Sequence, residues 1–159
     1  MIPSVDVPRM SRRSLAAGLL LLAAGLASPG CGRSRGSRGA EAPDPSGVFS
    51  SLSYTQALDE ARAGNRLVML DVYTDWCGWC KKLDRETFAD RRVREALKDF
   101  VALKVNAEKG GRAVAERYEV RGYPTILFIS PDGRVVRQVR GYVNADEMLR
   151  VLASLRSPA

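Results

Sequence analysis

Between Ser53 and Leu155 the apolar residues recur in short runs whose spacing changes from helical to strand-like and back. Ala57, Leu58 and Ala61 share one helical face, with Ser53 placed to cap its start and Gly64-Asn65 to end it. Leu67 to Tyr73 is a mainly apolar run without helical gaps, the pattern of a central strand buried on both sides. A helix is expected from near Cys77. Another, carrying Val93, Ala96, Leu97 and Phe100, follows the cap Asp90. Val101 to Asn106 reads as the next strand, Lys109-Gly110-Gly111 as a loop, and Ala113 to Tyr118 as a short helix. Thr125 to Ser130 is strongly β-forming, Pro131-Asp132-Gly133 is a turn, and Val135 to Tyr142 alternates enough to be the antiparallel partner. Asn144 then caps a last helix bearing Met148, Leu149, Leu152 and Leu155. Strands alternating with helices, closed by a hairpin, predict a three-layer α/β domain.

The residues before this region follow other rules. Ser11-Arg12-Arg13-Ser14 precedes a charge-free apolar stretch, Leu15 to Ala27, too short to span a bilayer comfortably but suited to the core of an export signal. The paired arginines loosely resemble a twin-arginine signal, although the ordinary secretory route fits as well. Cys31, just past this stretch with Gly30 before it, resembles the acylated cysteine of bacterial lipoproteins, while Ser28 and Pro29 depart from the usual residues there. That resemblance makes Cys31 a lipidation site and membrane anchor; cleavage after Ala27 would instead leave it a free thiol. From Gly32 to Gly47 the chain is Gly, Ser, Arg, Pro and acidic residues with almost nothing apolar, which reads as a flexible tether. The expected organisation is thus a leader over 1–31, a tether over 32–47 and one folded domain over 48–159.

Composition narrows the chemistry. The chain has no histidine, which removes the commonest general base and metal ligand. Three cysteines are too few for a disulfide-stapled scaffold or a four-cysteine zinc site. Of the net charge of +7, the first 47 residues carry +3, from six Lys/Arg and three Asp/Glu. The rest is spread over a mixed surface without a basic block interleaved with aromatics, so nucleic acid is not an expected partner.

Trp76-Cys77-Gly78-Trp79-Cys80 stands at the junction of the apolar strand and the following helix. Two cysteines so spaced can close a small disulfide reversibly, and the first would lie at a helix N-terminus, where free N–H groups favour its thiolate. A lone pair of this kind also suits half of a zinc site or a copper(I) site. The surroundings favour redox chemistry. Leu70-Asp71-Val72-Tyr73-Thr74-Asp75 leads into the motif, Arg121-Gly122-Tyr123-Pro124-Thr125-Ile126-Leu127-Phe128 follows later, and Lys104-Val105-Asn106 lies between. Together these resemble the active-site segment, cis-proline loop and central strand of the thioredoxin superfamily. The resemblance covers about residues 50–156. It is nearest to exported thioredoxin-like domains such as the C-terminal domain of DsbD-type proteins.

That resemblance implies a thioredoxin fold, a central mixed β-sheet flanked by helices, and a role for each matching residue. Cys77 would be the exposed nucleophile and Cys80 the buried resolving cysteine, forming the redox disulfide Cys77–Cys80. Asp71 would be a buried carboxylate accepting the Cys80 proton, with Lys104 beside it. Pro124 would be cis and set the Tyr123 backbone against the sulfurs to pair with substrate, with Thr125 following and Trp76 packed beside the pair. Lys81 and Lys82 would solvate a helix face and also favour the thiolate. No cofactor is called for, because the sulfurs carry the electrons themselves and no nicotinamide or flavin motif is present. A reductase outside the cytoplasm needs a separate membrane electron carrier of DsbD type, and its substrates would be disulfides of exported proteins. The Gly78-Trp79 dipeptide is neither the Gly-Pro of thioredoxins nor the Pro-His of strong oxidants, while Asp71 and the nearest resemblance both imply a reductant. An oxidase or isomerase, a copper(I) carrier using the same pair, and a redox-inert interaction domain remain as alternatives.

Overall fold

A computed structural model describes residues 47–156; the expected leader, Cys31 and nearly all of the expected tether lie outside the described residues. Ser53 caps helix α1 (Tyr54–Gly64): its hydroxyl accepts from the Gln56 N–H while the Gln56 side chain accepts from the Ser53 N–H. Asn65 closes the helix in the left-handed conformation. Strand β1 (Val68–Tyr73) is buried along its whole length, as its gapless apolar run requires. It occupies the middle of a four-stranded sheet of order β2-β1-β3-β4. It runs parallel to β2 (Val101–Asn106) and antiparallel to β3 (Thr125–Ile129), which pairs antiparallel with β4 (Val135–Arg140).

Helices cover both faces of this mixed sheet, giving the three layers. On one face α1 and α4 (Arg112–Arg117) bring Ala57, Ala61 and Ala115 against Leu70, Val72 and Leu103. On the other, α2 (Gly78–Leu83), α3 (Arg91–Leu97) and α5 (Ala145–Arg156) bring Leu83, Leu97 and Leu152 against Met69, Ile126 and Phe128. Helices α3 and α5 begin where their caps predict: the Asp90 carboxylate accepts from Arg92 N–H and the Asn144 side chain from Glu147 N–H.

Three details depart from the sequence pattern. Strand β4 does not alternate, and Val135 and Val136 are exposed, because β4 is a sheet edge whose register with β3 shifts between Phe128 and Ile129. It also ends at Arg140, where Gly141 takes a positive φ of 82° and leaves the sheet. Second, α3 stops at Leu97, and Phe100 reaches the core from the following turn. Third, α2 runs on into a wider π-type turn, Asp84–Phe88, closed by Ala89 N–H donating to the Asp84 carbonyl at 3.1 Å. This turn sends Thr87 and Phe88 inward. The Thr87 hydroxyl donates to the Val143 carbonyl at 2.6 Å, and Phe88 meets Phe49 edge-on at 5.0 Å between centroids.

Because Phe88 is fully buried under this turn, Phe88→Ala is expected to cost about 3–5 kcal/mol of unfolding free energy, measured by urea denaturation. A loss below about 1 kcal/mol would show that the turn does not depend on the ring.

Candidate active site

Alternation along β1 turns Asp71 to the same sheet face as Met69, the face that α2 covers. Past the strand end, the Thr74 carbonyl accepts from Cys77 N–H at 3.2 Å and directs the chain into α2. Cys77 caps that helix, its Sγ accepting from Cys80 N–H at 3.0 Å. The same contact would stabilise a Cys77 thiolate once the pair is reduced. Here the two cysteines form a disulfide, with Cα atoms 5.3 Å apart.

The expectation of an exposed Cys77 needs correction. Cys77 is 4% exposed and Cys80 1%. Tyr73 shares a buried cluster with both residues, and Tyr123 packs against that cluster. Cys77 is slightly the more accessible of the two.

Asp71 is fully buried. One carboxylate oxygen accepts from Lys104 Nζ at 2.8 Å, and the other has no hydrogen-bond partner. Burial pushes its pKa above the ordinary carboxylate value, and Lys104 offsets only part of that rise. Lys104 reaches inward from β2, directly across from Asp71 in the sheet register. Its Nζ also pairs with Asp84 of the π-type turn and stands 4.7 Å from the Tyr73 ring centroid. Burial alone would lower the Lys104 pKa, but the two carboxylates hold it above its ordinary value. Asp84 is a site residue the sequence reading missed. The signal was present, since it follows Cys80 by four residues and so lies on the same helical face.

The Tyr123–Pro124 peptide is cis, and Pro124 is buried. Thr125 fixes this loop, its hydroxyl donating to the Gly122 carbonyl at 2.8 Å. Trp76, expected to pack beside the pair, instead stands largely in solvent. It touches Tyr123 edge-on at 6.0 Å and donates from its indole N–H to Glu108 at 2.9 Å. The structure therefore brings Cys77, Cys80 and Tyr123 into one cluster and Asp71 and Lys104 into an ion pair on the sheet beneath α2. Chemically, this assembly can exchange disulfides. A Cys77 thiolate attacks a substrate sulfur and the Cys80 thiolate attacks Cys77 Sγ; the expected role of Asp71, taking up the Cys80 proton, requires its ionised form.

Comparison with known proteins agrees with this geometry. A family profile described as a thioredoxin-like domain matches residues 54–156. The thiol:disulfide interchange protein DsbD of Pseudomonas fluorescens is 40% identical over 108 residues, 65% of this chain and 18% of that protein. A thioredoxin from Thermus thermophilus superposes with a TM-score of 0.59 and 30% identity, over 64% of this chain and 82% of that one. The reduced C-terminal domain of Neisseria meningitidis DsbD does so with a TM-score of 0.55 and 28% identity, over 64% and 93%. The chain spans about a fifth of the length of the curated relatives it matches.

The raised pKa of Asp71 gives two linked expectations. Disulfide reduction by the dithiol should rise with pH as Asp71 ionises, and Asp71→Asn should remove that limb and slow turnover about a hundredfold. Stability should move the opposite way. Between 3.8, the ordinary carboxylate value, and the raised one, the folded chain binds more protons than the unfolded chain, so stability falls as pH rises through that window. Asp71→Asn escapes this loss. Its urea midpoint should exceed the parent's at neutral pH, with the gap closing at about pH 3. A parallel pH–rate profile in the variant would remove Asp71 from the proton path.

Proposed function

This chain belongs to the thioredoxin-like family, whose thiol–disulfide oxidoreductase chemistry falls on Cys77 and Cys80, and on that premise we propose that it is an exported protein-disulfide reductase. The observation that carries the direction is the buried Asp71 carboxylate on the sheet face beneath α2. An ionised carboxylate in a site of low polarity opposes formation of a neighbouring thiolate. A reduced form so destabilised gives up its electrons more readily. No histidine stands between the cysteines to hold the thiolate, as Gly78-Trp79 shows.

In the proposed cycle the Cys77 thiolate attacks a client disulfide, releasing one client thiolate and leaving a mixed disulfide. The Cys80 thiolate then displaces the second client sulfur. The client gains two electrons and two protons, and Cys77–Cys80 becomes the disulfide. A membrane electron carrier of the DsbD type would restore the dithiol, a role supported by the likeness to DsbD proteins. The leader-like segment before Cys31 supports export to the periplasm, and Cys31 itself would carry the lipid anchor. Clients would be oxidised cysteines of exported proteins that must be reduced to fold or to bind their cofactors.

In cells quenched with acid and alkylated, the full chain should be found mainly as the dithiol and should become the disulfide when the membrane carrier is deleted. Cys80→Ser should accumulate clients as mixed disulfides through Cys77, and Cys31→Ser should abolish fatty-acid labelling. A chain trapped mainly as the disulfide in unperturbed cells would mark an oxidase instead.

A further inference from the structure

Trp79, between the two cysteines, is held by its neighbours. Its ring lies against Tyr142 at 5.8 Å between centroids. Lys82 Nζ stands 5.3 Å from the Trp79 centroid and 4.7 Å from that of Tyr142. Glu86 completes the group, accepting from the Tyr142 hydroxyl at 2.7 Å and lying 3.8 Å from Lys82 Nζ. Trp79 is thus held in place while its ring remains 58% exposed, and Trp76, held by Tyr123 and Glu108, is 67% exposed. Two fixed, exposed indoles adjoining a reactive pair form a contact surface that loses little entropy when it binds.

The charges of this surface are unbalanced. Three carboxylates near the indoles are engaged within the chain: Asp75 by Lys109 and Asn106, Glu86 by Tyr142 and Lys82, and Glu108 by the Trp76 indole. Three exposed cations are not. Lys81 next to Cys80, Arg85 one turn further on, and Arg121 two residues before Tyr123 make no ion pair among the described residues.

The geometry points to a client of defined chemistry: a cystine-bearing segment with an aromatic or aliphatic side chain beside the reacting cysteine and carboxylates around it. This inference rests on the dithiol-exchange reading above. The apolar side chain would pack on Trp79 and Trp76, and the carboxylates would meet Lys81, Arg85 and Arg121. Charge of this kind acts mainly on the rate of encounter.

The test uses the full chain, reduced, with two synthetic peptides that differ only in carrying Glu or Lys around a Leu-Cys pair. Each peptide cysteine is joined in a disulfide to 2-mercaptoethanol. Each rate is divided by that of dithiothreitol on the same peptide, which cancels intrinsic differences between the disulfides. The acidic peptide should react about tenfold faster than its basic twin at low salt. That preference should collapse at about 1 M salt, where the screening length is about 3 Å. Lys81→Glu with Arg85→Glu should reverse it, and taking the ratio within one variant cancels any change in the Cys77 thiolate. Trp79→Ala should slow both peptides relative to the small neutral substrate hydroxyethyl disulfide. Equal corrected rates for the twins, or an unchanged peptide-to-hydroxyethyl ratio in Trp79→Ala, would overturn the inference alone. Failure of the reduced chain to act on hydroxyethyl disulfide would overturn the reductase reading itself.

Discussion

Asp71 is a carboxylate set in a strand that is buried on both faces, and the surrounding elements are arranged around that charge. An isolated ion in such a place costs several kcal/mol, so a partner must come with it. The parallel pairing of β1 with β2 supplies one, setting Lys104 directly across from Asp71. The turn after α2 supplies a second carboxylate, Asp84, so that one ammonium is shared by two acids. Three elements distant in sequence are thereby joined at one point beneath the helix that carries the cysteines.

That arrangement sets two opposing influences on the cysteine pair. The Cys80 N–H pointing at Cys77 Sγ favours a thiolate. An ionised Asp71 opposes it, and burial, which raises the Asp71 pKa, limits how far that charge develops. In the reductase proposed above, this balance would keep a thiolate available for attack without over-stabilising the reduced state. Tyr73 and Tyr123 pack around the pair, while Trp76 and Trp79 remain exposed beside it.

Much of this was legible in the sequence because local rules act strongly there. The caps Ser53, Asp90 and Asn144 and the apolar run of β1 each mark an element through interactions within a few residues. Cys77, Cys80, Asp71 and Pro124 were legible through their spacing and family likeness. What escaped depends on contacts across the fold. The π-type turn is stabilised by Phe88 meeting Phe49 and by Thr87 meeting Val143, partners far apart in sequence. Tyr123 packs against the cysteine cluster and Tyr142 against Trp79, both contributed by later loops. Edge position, not composition, broke the expected alternation of β4.

The claim that these parts make an electron donor is tested most directly by the reduction potential of the Cys77–Cys80 couple, obtained by equilibrating the full chain with defined dithiothreitol or glutathione buffers. A reductase built on the buried Asp71 should titrate close to thioredoxin, at about −270 mV. A value near about −120 mV, in the range of strong oxidants, would contradict the account.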